Sequence, residues 1–175
     1  MLSKYTQSYD NVFTPEECNQ MIEEYSSLTK FDDNTNFNYY NIDNFDKNIN
    51  KLMSVVGEYI KEYPEINLVA SKFGVQNFRF KHFKPGYSFD MWHSENCITH
   101  PYRMLGIQIY LSKHDCGTEF YNGDYIKSEV GRVTIFPAYF THTHKGQPCP
   151  ENKDRYIITA YISFFEKGDM ENNNA

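Results

Sequence analysis

Cysteine is sparse in this chain, and Cys18, Cys97, Cys116 and Cys149 contain no Cys-x-x-Cys pair. Neither a disulfide framework nor a zinc ribbon is expected from such spacing, so free thiols are the default. Basic residues are also in the minority, 17 Lys and Arg against 23 Asp and Glu for a net charge of −6, and they form no block or stripe. Nucleic-acid binding starts from a positive footprint, so DNA and RNA are not expected as partners. No apolar run approaches the length of a membrane span, and the opening Met1-Leu2-Ser3-Lys4-Tyr5-Thr6 lacks the hydrophobic stretch of a signal peptide. No membrane association and a cytoplasmic location are the expectation. Internal repeats are absent, and 175 residues fit one domain over 1–175.

Aromatics are abundant instead. Fifteen Tyr and fourteen Phe predict a core built from large rings, with many hydroxyls that need partners or a place at the rim. Thr14-Pro15-Glu16-Glu17 is a helix start, with Thr as N-cap and Pro at the first helical position, and the helix should run to about Ser26. Residues 30–44 are dense in Asn and Asp and read as a loop, either packed on the surface or closing over a site as a lid. A second helix over about Asn44 to Glu62 carries Phe45, Ile49, Leu52, Val56 and Ile60 on one face and stops at Pro64. From Val75 the pattern changes to short strands at roughly 75–83, 87–93, 103–111, 117–121, 132–137 and 155–165. Helices first and strands afterwards define an α+β chain, with a helical buttress over about 13–65 against a jelly-roll core over about 75–165. The polar stretch 167–175 reads as a disordered tail.

The chemistry concentrates in two segments, Trp92-His93-Ser94-Glu95 and Thr141-His142-Thr143-His144-Lys145-Gly146. Residues two apart on a strand point the same way, so His93 and Glu95 form half of a ligand set that one distal His can complete. Two imidazoles and one carboxylate on one face suit ferrous iron and leave the opposite positions open, whereas a structural zinc site is closed by four ligands. His142 and His144 compete for the distal place. After them Asp154-Arg155-Tyr156-Ile157 opens a strand with an arginine, the planar fork that holds a carboxylate by two parallel hydrogen bonds. His82, His100 and His114 read as ordinary surface or loop histidines.

With Lys84-Pro85-Gly86, His93-Ser94-Glu95, Ile109-Tyr110-Leu111-Ser112, Cys116-Gly117-Thr118-Glu119-Phe120, Phe136-Pro137, His144 followed by Pro148, and Arg155-Tyr156 in order, the sequence resembles the 2-oxoglutarate and Fe(II)-dependent oxygenases, in their prolyl 4-hydroxylase-like branch. The resemblance covers residues 75 to 165 by motif and, more loosely, the start of the first helix at Phe13-Thr14-Pro15-Glu16-Glu17-Cys18. It implies a double-stranded β-helix in which His93, Glu95 and His144 bind iron. The choice of His144 rests on the proline that the family places four residues after the ligand, here Pro148. Arg155 would pair with the far carboxylate of 2-oxoglutarate, and Tyr110 would donate to the same group. Three departures stand out: Glu95 where Asp is usual, Lys84 where Tyr is common, and a longer gap from His144 to Arg155, which makes Lys153 the rival anchor.

The implied activity is hydroxylation of a C–H bond, with Fe(II), 2-oxoglutarate as cosubstrate and ascorbate as reductant. The implied partner is a peptide or protein carrying a prolyl residue, with a small molecule as the other possibility. Oligomeric state stays open. Two other classes compete: a cupin-type zinc or manganese enzyme built on His93, His142 and His144, and a catalytically inactive jelly-roll binding module.

Overall fold

The computed structural model describes residues 3–33, 37–69, 72–150 and 152–165. Helix α1, Pro15–Ser26, forms where its capping signals stand: Glu17 N donates to the Thr14 hydroxyl at 3.2 Å, and Thr14 N donates to the Glu17 carboxylate at 2.8 Å. It buries Cys18, Met21 and Tyr25. Helix α2, Asp46–Glu62, buries Leu52, Val55, Val56 and Tyr59 on the face that the spacing marks out. Pro64 ends α2 and begins a short 3-10 turn, Pro64–Leu68. Among the described residues no helix is long and apolar enough to cross a membrane.

Among the described residues ten strands make two sheets. They are β1 (Gln7–Tyr9), β2 (Lys30–Asp33), β3 (Phe37–Asn41), β4 (Phe73–Phe83), β5 (Arg103–Tyr110), β6 (Gly117–Phe120), β7 (Tyr125–Lys127), β8 (Val133–Pro137), β9 (His144–Gly146) and β10 (Arg155–Phe164). The larger sheet runs β1-β8-β5-β10-β4-β3-β2 and the smaller β7-β6-β9, with antiparallel pairing throughout. The expected class holds: two helices lie against an antiparallel double-stranded β-helix.

Period-two alternation explains how one sheet serves two layers. On the helix side Leu105, Ile107, Ile109, Val133, Ile135, Ile158, Ala160 and Ile162 join α1 and α2 in the main core. On the opposite side Phe83, Tyr110, Phe136 and Ile157 pack with Phe120 and Ile126 of the smaller sheet. All eight residues of β5 are buried because both its faces are covered. Asn77, at φ 58°, absorbs an extra residue in β4: Thr159 pairs with Arg79 while Tyr161 pairs with Gln76, a bulge that Asn tolerates in the left-handed region.

Several expectations need correction. Residues 30–44 are not a loop: Lys30–Asp33 and Phe37–Asn41 pair as a hairpin at the sheet edge, and β3 buries Asn38 and Tyr40 while Phe37 and Tyr39 stack at 4.9 Å. Alternating aromatics outweigh the local turn preference of Asn and Asp once β4 offers its edge. The loop reading therefore fails for the described part, and residues 34–36 lie outside it. Residues 87–93 form no strand. Cys116 and Cys149 are joined in a disulfide across 33 residues, leaving Cys18 and Cys97 free. Sequence spacing says nothing of such a pair, which the fold brings together. His114 is buried, with Nε2 donating to the Asp154 carbonyl at 3.1 Å. The tail, 167–175, lies outside the described residues.

Candidate active site

His93 and His144 meet through an isolated antiparallel bridge rather than a long strand. His93 N donates to His144 O at 3.0 Å, His144 N donates to His93 O at 2.9 Å, and the ring centroids lie 4.4 Å apart. Each ring is fixed by its own neighbour: Nδ1 of His93 donates to Met91 O and Nδ1 of His144 to His142 O, both at 2.9 Å. A carbonyl only accepts, so these bonds place the ring proton on Nδ1 and leave the Nε2 lone pair bare. Both Nε2 atoms face Glu95 Oε1, at 3.8 Å from His93 and 3.5 Å from His144. Nε2 of His144 is buried with no hydrogen-bond partner.

Glu95 is 6% exposed. Its Oε2 accepts from Arg103 NH1 at 3.3 Å, and the Arg103 guanidinium lies 3.5 Å over the Tyr161 ring. Burial works against ionisation of Glu95. The positive charge on Lys81 is among the effects that oppose it and hold the carboxyl well below the usual range. The ligand atoms of His93, Glu95 and His144 all lie within 4.8 Å of one another. Two bare nitrogens and a carboxylate oxygen face one point with no proton between them, which is the arrangement a divalent cation requires. The donor set fits ferrous iron on one face and leaves the other side to the cavity.

Arg155 opens β10 on the wall of the same cavity. It is 3% exposed, its NH1 donates to the Gln147 carbonyl at 3.2 Å and to Cys116 Sγ at 3.3 Å, and its guanidinium stacks 4.7 Å from the Phe83 ring. Tyr110 also faces the cavity, with its hydroxyl donating to Gln108 Oε1 at 2.8 Å and 2.8 Å from Thr118 Oγ1. Burial raises the Tyr110 phenol to about 12, which keeps it a donor at neutral pH. Lys153, the rival anchor, and Lys84 are exposed. His142 turns away: its Nε2 donates to the Lys4 carbonyl at 3.1 Å and its Nδ1 lies 2.9 Å from Thr141 Oγ1. Its own carbonyl steadies His144, so the set His93, His142, His144 is not assembled.

Three polar residues escape the motif reading: Lys81 and Gln108 line the cavity, and Arg103 backs Glu95, while Thr118, which stands in a motif, lines the cavity beside them. The period-two phase of β5 points Gln108 inward with Tyr110, a signal available once Tyr110 is placed. Lys81 and Arg103 have no local signal.

No family model matches the chain, and no curated protein matches it. Its fold is that of the 2-oxoglutarate–Fe(II) oxygenases. The viral collagen prolyl hydroxylase of Paramecium bursaria Chlorella virus-1, solved as a 2-oxoglutarate complex, superposes with a TM-score of 0.70 at 18% identity over 94% of this chain and 98% of that one. A Trichoplax adhaerens prolyl hydroxylase bound to a hypoxia inducible factor peptide gives 0.70 at 16% identity over 93% and 84%. A prolyl-4-hydroxylase of Pseudomonas putida gives 0.65 at 12% identity over 92% and 93%.

Proposed function

We propose that this chain is an Fe(II)- and 2-oxoglutarate-dependent oxygenase that hydroxylates a C–H bond of a prolyl residue in a peptide or protein. The observation that carries it is the convergence of the two bare Nε2 atoms and Glu95 on one point, with Arg155 in the wall of the same cavity. A ferrous ion bound by His93, Glu95 and His144 supplies, with dioxygen and the cosubstrate, the oxidising power that converts C–H to C–OH as 2-oxoglutarate becomes succinate and carbon dioxide.

The protein's part is binding and orientation. The Met91 and His142 carbonyls keep both imidazoles in the ligating tautomer, and Arg103 fixes the carboxylate of Glu95. Arg155 and Tyr110 offer a guanidinium and a phenol to the far carboxylate of the cosubstrate. Phe83, Phe89 and Ile157 in the cavity wall exclude water. The prolyl substrate is supported by the similarity to prolyl hydroxylases, one of them bound to a peptide. Anaerobic titration with Fe(II), with and without 2-oxoglutarate, tests the reading. A charge-transfer absorption that needs both components is expected; tight iron binding without any cosubstrate-dependent band would sink it.

A further inference from the structure

The cavity contains a second cation that neither the metal triad nor Arg155 accounts for. Lys81 sits in β4 opposite Ile157 of β10 and Tyr39 of β3, in phase with Phe83, which itself pairs with Arg155. Its side chain therefore projects from the same inner wall as the arginine and lines the same cavity. The ammonium lies 5.1 Å from the Tyr39 ring, and among the described residues no carboxylate comes within ion-pair distance of it. Desolvation of such a group is costly without an anion. Burial accordingly pushes it down to about 8, and Glu95 is the charge that acts on it most strongly, ahead of Arg79, Arg103 and Arg155. Register gives the same direction: along β10 Arg155 is followed by Ile157 opposite Lys81, then by Tyr161, which pairs with Gly106 beside the Glu95 side chain, so Lys81 lies from Arg155 toward the metal triad.

A 2-oxo dicarboxylate has two anionic ends, and the reading above assigns a protein cation only to the far one. We propose that Lys81 is a positioning residue for the carboxylate of 2-oxoglutarate nearest the metal triad, so that the cavity holds the cosubstrate with one cation at each end. The inference rests on the proposed function and adds to it a specific demand on the ligand. A 2-oxo acid lacking the far carboxylate still depends on Lys81 but not on Arg155.

Calorimetry on the full chain loaded with Mn(II), under nitrogen, separates the possibilities with two ligands, 2-oxoglutarate and 2-oxobutanoate. Wild type is measured first, since failure to bind 2-oxoglutarate at all overturns the proposed function and this inference with it. Lys81→Met keeps the stem and removes the charge. It should weaken both ligands by about ten- to a hundredfold, the range for a lost charged hydrogen bond, with Mn(II) affinity and thermal midpoint unchanged. Arg155→Ala should weaken 2-oxoglutarate alone, and Lys81→Arg should restore most of the loss for both. If Lys81→Met weakens 2-oxoglutarate but not 2-oxobutanoate, Lys81 serves the far carboxylate and the assignment is wrong. Unchanged affinity for both, or equal loss in Lys81→Arg and Lys81→Met, also overturns it.

Discussion

On the helix side of the seven-stranded sheet, Ile107, Ile109, Ile158 and Ala160 are at most 1% exposed and belong to one apolar cluster with α1 and α2. On the alternate positions of the same strands, the opposite face presents Gln108, Tyr110, Thr159 and Arg155, also buried but polar. The first face stabilises through area, which any close-packed apolar side chain supplies. The second spends stability: it shelters bare imidazole nitrogens and buried cationic groups, which are costly to take out of water. Stability and binding are divided between two sides of one sheet.

Four substitutions test that division, in falling order of effect. His144→Ala should lower metal affinity by more than about a hundredfold, beyond the usual loss from a ligand-supporting group, while the thermal midpoint of the metal-free protein stays in place. Metal titration and calorimetric melting check it, and a large drop in the metal-free midpoint would mean that the polar face also carries the fold. Arg155→Ala should cost about 2 to 5 kcal/mol of 2-oxoglutarate binding, some thirtyfold or more, with Lys153→Ala near wild type. Cosubstrate calorimetry on both variants would reverse the assignment if the losses came out exchanged. Ile158→Ala should cost about 2 to 5 kcal/mol of stability in urea and leave the cosubstrate affinity of the folded protein unchanged. Thr14→Ala removes the N-cap of α1 far from the site and should cost about 1 kcal/mol, read from the same urea midpoint, with no change in binding.

How much of this was legible in the sequence depended on range. Local signals carried the capping box at Thr14 and Glu17 and the stripe of α2, and the run of β-branched and aromatic residues after Arg155 announced β10. The fold brings His93, Glu95 and His144 together, yet the expected strand over 87–93 is absent, and a two-residue bridge does the positioning instead. The hairpin of β2 and β3 was hidden because its Asn and Asp residues favour turns in isolation and become strand only against β4. Lys81, Arg103 and the pair Cys116–Cys149 were invisible for a shared reason: what matters about each is a neighbour distant in sequence. Ile157, for example, stands 76 positions beyond Lys81 and lies opposite it only once register is known.

The position of β10 sets a timetable for assembly. Within the larger sheet it fills the gap between β4 and β5, pairing with both, although it follows them in the chain by 45 residues or more. During synthesis β4 and β5 therefore emerge long before the strand that joins them, and their inner faces stay open to solvent until residues 155–164 arrive. Long-range pairing of this kind slows folding, because the entropy of closing the chain is lost before contacts repay it. Arg155 arrives with that same strand, so on the proposed function the cavity would gain its anchor only as the barrel closes, and a nascent chain would not hold the dicarboxylate before it is folded.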